Sequence, residues 1–107
     1  LEKLWKASRE TLRILTVAPE TLDNALRSDL GTWAAKRKVR LAVGHTRCTS
    51  AQAEAAFGAG FTGVTHAWNA LSYHHREPGA LGAAFGRDGI YVELIPDEVH
   101  VAAAFLD

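Results

Sequence analysis

Val39-Arg40-Leu41-Ala42-Val43-Gly44-His45 and Phe61-Thr62-Gly63-Val64-Thr65-His66 are two short, mostly apolar runs that each close on a histidine. Runs of this length, bounded by glycine turns, read as buried strands. Between them Thr49-Ser50-Ala51-Gln52 has capping-box form, a hydroxyl followed three residues later by glutamine, and opens an alanine-rich helix that Gly58 and Gly60 finish. Strand, helix, strand in that order implies a parallel pair joined by a right-handed crossover. Neighbouring strands lie roughly 5 Å apart, so histidines at their carboxyl ends aim two imidazoles at one point.

The same alternation extends outward in both directions. Upstream, Leu1, Leu4, Trp5, Ser8 and Leu12 recur at helical spacing, and Ile14-Leu15-Thr16-Val17-Ala18 is a strand halted by Pro19. Leu22, Ala25, Leu26, Leu30, Trp33 and Ala34 mark a second helix, weakened at Gly31 and ended by Lys36-Arg37-Lys38, whose cations suit the carbonyl end of a helix. Downstream, a long loop carries His74-His75-Arg76-Glu77-Pro78-Gly79. A last strand is expected over Ile90-Tyr91-Val92-Glu93-Leu94-Ile95, ending at Pro96-Asp97-Glu98-Val99-His100, with a further helix from Val101. The strands begin at residues 14, 39, 61 and 90, so the expected fold is α/β with one parallel sheet. Chemistry in such sheets sits at the carboxyl ends of the strands, where Glu20, His45, His66 and Asp97 to His100 fall.

At 107 residues the chain is one domain, or part of one, over residues 1–107. Twelve basic and twelve acidic side chains cancel, which gives no field for nucleic acid or an acidic membrane. No apolar run approaches the roughly 20 residues of a membrane span, and the amphipathic start Leu1-Glu2-Lys3-Leu4-Trp5-Lys6 is not a signal peptide. Cys48 is the only cysteine, so no internal disulfide forms and a reducing, cytoplasmic setting is expected.

Neutral imidazole is a common zinc ligand, and three protein ligands plus a water make a catalytic site. His45 and His66 supply two ligands from adjacent strands; the alternative is that each caps its strand by hydrogen bonding. Asn69, three residues past His66, is placed to donate to a substrate or to hold a turn. Arg76 lies in a loop marked by Pro78-Gly79, where a guanidinium suits phosphate or carboxylate, is solvated, or pairs with Glu77. His74 and His75 read as solvated loop residues and Cys48 as a small packed side chain rather than a metal ligand. His100 is ambiguous by itself.

Taken in order, Thr16-Val17-Ala18-Pro19-Glu20, Gly44-His45-Thr46, Thr65-His66-Ala67-Trp68-Asn69-Ala70-Leu71, Arg76-Glu77-Pro78-Gly79 and Asp97-Glu98-Val99-His100 resemble the N-acetylglucosamine-6-phosphate deacetylases of the amidohydrolase superfamily. The resemblance spans nearly the whole chain, and the 21 residues from His45 to His66 are its most specific spacing. It implies four consecutive β/α units, strands 4 to 7, of a (β/α)8 TIM-type barrel, with His45 and His66 as metal ligands on the fifth and sixth strands. It further implies a divalent metal, zinc or else iron, and an N-acetylamino sugar phosphate as substrate. Asn69, the backbone of Ala70, Arg76 and the turn Asp97, Glu98, Val99 and His100 would contact that substrate, with Arg76 reaching into a neighbouring subunit's site in a homodimer.

By the same resemblance the activity is hydrolysis of the acetamide of N-acetylglucosamine 6-phosphate to acetate and glucosamine 6-phosphate. The family's glutamate ligand and catalytic aspartate fall outside residues 1–107, so no catalytic residue is expected within them. A whole barrel needs about 250 residues, so the chain is expected to be an inactive internal piece of a larger enzyme. Glu98 stands where the family usually has glycine, a change that bears on substrate choice. The rival readings are an amidohydrolase acting on another N-acetyl sugar phosphate or amide, and a non-catalytic half-barrel that binds or assembles.

Overall fold

Leu15 to Val17, Leu41 to Val43 and Phe61 to Val64 pair in a computed structural model that describes residues 1–106; the last residue of the expected 1–107 domain lies outside them. The strands are β1 (Ile14–Val17), β2 (Arg40–Val43), β3 (Phe61–Val64) and β4 (Tyr91–Val92). They form one sheet in the order β1-β2-β3-β4, every pair parallel, as the alternation predicts. Helix α1 (Glu2–Ala7) precedes β1, and α2 (Asn24–Arg37), α3 (Ser50–Gly58) and α4 (Gly79–Phe85) fill the connections between strands.

The core lies on one face of the sheet. Leu41, Val43, Phe61 and Val64 are buried against Leu30 and Ala34 of α2, Ala53, Ala56 and Phe57 of α3, and Ala80, Leu81 and Ala84 of α4. Parallel strands covered on both faces read as continuous apolar runs, yet here the opposite face leaves Ile14 and Tyr91 half or more exposed. Local signals set the helix ends. Asp23 accepts from the Leu26 amide at 2.8 Å to cap α2, and Thr49 and Gln52 form the expected reciprocal capping box on α3.

Several expectations are corrected. The strand read over Ile90–Ile95 pairs only at Tyr91–Val92, because β4 is an edge with a partner on one side and Pro96 lacks an amide. A 3₁₀ turn at Ala103–Phe105 stands where a helix from Val101 was expected. Helix α1 stops at Ala7, so Leu12 packs against the core from outside it. Helix α4, unanticipated, closes the long loop and packs on α3.

One irregularity decides the geometry of the rim. Leu41 pairs with Phe61, but Ala42 pairs with Gly63, so Thr62 is an extra residue that bulges from β3. A one-residue shift changes which side chains face each other beyond it. Without the bulge Thr65 would stand level with His45; with it, His66 does.

Candidate functional site

The two histidines meet. Nε2 of His66 is 2.8 Å from Nε2 of His45, and the rings stand edge to face with centroids 4.5 Å apart. Their convergence at the rim is what the strand-end placement predicts. Both backbones are in the left-handed region, at φ 50° for His45 and 34° for His66, and Trp68 (67°) and Ala70 (49°) share it. Non-glycine residues held there cluster at sites of function.

The pair fits a divalent metal as two of its ligands. Nitrogens bound to one tetrahedral ion at about 2.0–2.1 Å sit about 3.3 Å apart, so the rings need only open by about half an ångström. Ligating imidazoles donate their second nitrogen to an acceptor, and Nδ1 of His66 is buried with no partner among the described residues. No group of three His, Cys, Asp or Glu side chains gathers there among those residues, so His45 and His66 are two candidate ligands without a third.

A web of hydrogen bonds holds the rim. Glu20, just after β1, accepts from the Thr46 hydroxyl and from the Arg47 amide at 2.8 Å, gripping the turn that follows His45. Burial pushes the Glu20 carboxyl up, but these two donors together with its own backbone amide outweigh it and leave it below its ordinary value. Thr46 also receives the Cys48 amide on its hydroxyl at 3.0 Å, donates its own amide to Ala70 and accepts the Ser72 amide, at 3.0 and 3.1 Å. On the other side Glu93 accepts the Thr65 hydroxyl at 2.7 Å, and its carbonyl takes the Ala67 amide at 2.7 Å. Glu20 and Thr65 stood out in the sequence only by strand-end position and as members of the quoted motifs; Arg47 and Glu93 carried no signal, because their contacts join segments far apart in the chain.

An open cavity of about 340 Å³ lies beside His45, lined by His45, Thr46, Arg47, Ala70, Leu71 and Ser72. Of the sequence-predicted substrate contacts, Ala70 is there. Asn69 turns its amide back onto the Ala67 carbonyl at 3.2 Å. Arg76 is exposed on a loop closed by reciprocal bonds between His74 and Glu77 and does not line the cavity. Glu77 does not pair with Arg76; it accepts from the Ser50 amide and hydroxyl, both at 2.7 Å, which ties the loop to the start of α3.

The Asp97–His100 turn also stands outside that cavity. Asp97 accepts the His100 and Val99 amides on one oxygen and the His100 ring at 2.6 Å on the other. The His100 amide, its ring and the Val99 amide together lower the Asp97 carboxyl to about 2. Asp97 thus orients the His100 ring. Glu98 sits at φ 62°, which gives a physical reason for glycine there, and Val99 is 85% exposed. Cys48 is buried as a small packed side chain, with its thiol pushed up by burial.

No family model matches the chain. Over 105 residues, 97% of the chain, it is 38% identical to N-acetylgalactosamine-6-phosphate deacetylase of Escherichia coli O157:H7, covering 27% of that protein. It is 37% identical to N-acetylglucosamine-6-phosphate deacetylase of Bacillus subtilis over 94% of its length and 25% of the relative's. A solved N-acetyl-D-glucosamine-6-phosphate deacetylase variant from Mycobacterium smegmatis, in complex with N-acetyl-D-glucosamine-6-phosphate, superposes on 98% of the chain and 27% of its own with a TM-score of 0.86 at 36% identity. The chain therefore spans about a quarter of the length of the relatives it matches.

Proposed function

This chain is homologous to a quarter-length stretch of the N-acetylglucosamine-6-phosphate deacetylases, and on that premise we propose that it forms the histidine-bearing part of such an enzyme's active site. In this reading β1 to β4 are strands 4 to 7 of a (β/α)8 barrel, and residues 1–107 are part of its catalytic domain. The reaction is hydrolysis of the acetamide of N-acetylglucosamine 6-phosphate. The 38% identity to a relative named N-acetylgalactosamine-6-phosphate deacetylase supports the C4 epimer as an alternative substrate.

The meeting of His45 and His66 at 2.8 Å is the observation that carries the proposal. They would hold a divalent metal, zinc or iron, which when bound polarises the acetamide carbonyl and lowers the pKa of water. The other residues bind and orient. Glu20 fixes the turn after His45 through Thr46 and Arg47. Ala70, held in a left-handed conformation, lines the cavity wall and would offer its backbone to the substrate. Asn69 braces the segment that leaves His66. Asp97 holds the His100 ring, which would offer its other nitrogen to the substrate, and Arg76 would reach a phosphate in the partner of a homodimer. No helix among the described residues is long and apolar enough to cross a membrane, and cytoplasmic placement belongs to the same proposal.

The test is acetate release from N-acetylglucosamine 6-phosphate by the enzyme that carries this segment. His45→Asn and His66→Asn should each abolish turnover and weaken zinc binding measured by titration. Full turnover in either variant overturns the reading, and zinc binding without acetate release by the unsubstituted enzyme would favour the half-barrel binding module.

A further inference from the structure

The cavity beside His45 contains a cation that the proposed function has not used. Arg47 lines it. The other arginine side chains with partners are spoken for: Arg27 bonds Asn24 and the Leu22 carbonyl, Arg37 pairs with Glu2, Arg87 with Glu54, and Arg13 caps nearby carbonyls. Arg40 stacks over the Tyr91 ring. The Arg47 guanidinium makes no hydrogen bond or ion pair among the described residues, although its backbone is pinned by Glu20.

That pinning gives the side chain a fixed base. Thr46 zips to Leu71 through the bonds to Ala70 and Ser72, so Arg47, itself exposed, lines the same cavity as Leu71 and Ser72. The cavity wall then offers the guanidinium and the Ser72 hydroxyl, together with the backbone of strained Ala70. No carboxylate lines it. Glu20 stands behind the wall with both oxygens engaged, by Thr46 and by the Arg47 amide. A site with donors on its walls and no acid is built for an anion with several acceptor oxygens. His45 lines the same cavity, so a molecule held there can present its reacting group to the imidazoles and its anionic group to Arg47.

Resting on the proposed function, we propose that Arg47 is a specificity-determining residue that receives the phosphate of the sugar phosphate from within the same chain, independently of Arg76. Phosphate recognition is then partly complete without a partner subunit.

The probe is inorganic phosphate, titrated into the protein and followed through the amide resonances of Ala70 and Ser72. Unsubstituted protein should show saturable shifts at both, Arg47→Ala should weaken binding by about tenfold or more, and Arg47→Lys, which keeps the charge but loses the fork, should fall between. Arg9→Ala, a change at an exposed arginine away from the cavity, should bind as the unsubstituted protein does. In the acetate-release assay Arg47→Ala should raise KM for N-acetylglucosamine 6-phosphate by about ten- to a hundredfold, with kcat and the reaction of unphosphorylated N-acetylglucosamine unchanged. Phosphate binding unaffected by Arg47→Ala, or equal losses on both sugars, overturns the proposal. An enzyme that binds phosphate through Arg47 but releases no acetate overturns the deacetylase reading and leaves the anion site standing.

Discussion

Gly44 precedes His45 at the point where three strands' side chains crowd together, and replacing it with alanine should damage both stability and the histidine pair. A Cβ there would lie 2.7 Å from Cγ2 of Thr16 and 3.0 Å from Cγ2 of Thr65, whereas ordinary contact begins near 3.4 Å. The neighbours must therefore give by about 0.7 Å. Both are β-branched and stiff at χ1, and Thr65 is further tied to Glu93. Overpacking of this kind costs about 1–3 kcal/mol. Alanine returns about 0.4–1 kcal/mol by restricting the unfolded chain, since the Gly44 backbone is not one that only glycine adopts. The net loss is about 1–2 kcal/mol, or about 5–15 °C in Tm for a domain of this size. Because Thr65 is the residue before His66, zinc affinity should fall with it. Gly63→Ala is the control on the same sheet face: its Cβ would meet Tyr91 O at 3.5 Å and Ala42 Cβ at 3.6 Å, which is ordinary contact. Urea unfolding and zinc titration of the two variants decide the matter. If Gly44→Ala matches the unsubstituted protein, or the two variants behave alike, the crowding argument fails.

Three further outcomes are expected. Glu98→Gly should stabilise the protein by about 0.5–1 kcal/mol, since a side chain in the left-handed region costs about 1–2 kcal/mol and glycine's extra freedom when unfolded takes back about half of that; an unchanged or lower urea midpoint would argue that Glu98 makes a compensating contact. Asp97, depressed to about 2 from an ordinary 3.8, contributes stability that is complete above about pH 4 and disappears as pH falls through about 2; a ¹³C carboxyl titration of Asp97 with a midpoint near 3.8 would contradict the turn. The outer edges of β1 and β4 pair with nothing among the described residues and carry exposed Ile14 and Tyr91, so the 107-residue chain should self-associate with rising concentration, and sedimentation showing a monodisperse monomer throughout would count against it.

Much of the fold was readable because its signals are local. The apolar runs before Pro19 and before Gly44 needed no partner to be recognised, and the Thr49–Gln52 capping box announces α3 through two side chains three residues apart. Helix α4 escaped because Gly79 and Gly82 are poor helix formers; it exists because Ala80, Leu81, Ala83 and Ala84 are buried against the rest of the core. The last strand was read too long for the opposite reason, since the apolar run from Ile90 to Ile95 has strand propensity but a partner on one side alone. In the rim the histidines were legible as strand ends, and the glycine inside β3 was the one hint of a bulge. Glu20 was legible as a position but not as a clamp, and Glu93 not at all, because a carboxylate that grips a residue 26 or 28 positions away leaves no periodicity behind.

What the rim stores also bears on what it is for. His45, His66, Trp68 and Ala70 all lie at φ between 34° and 67°, and each such residue costs about 1–2 kcal/mol relative to an ordinary conformation. A free loop would relax out of it. Here relaxation is blocked from three sides: Glu20 holds Thr46 and Arg47, Thr46 is laced to Ala70 and Ser72, and the Glu93 carbonyl holds the Ala67 amide. Each tie joins the segment after one strand to the segment after a neighbouring strand, so none can let go without disturbing the sheet. A structural cap for two strand ends would need only one or two of these bonds and no left-handed histidines. Strain kept in place by redundant bonds is what a site held ready for a ligand requires, and it is the converging imidazole nitrogens that these bonds keep in place.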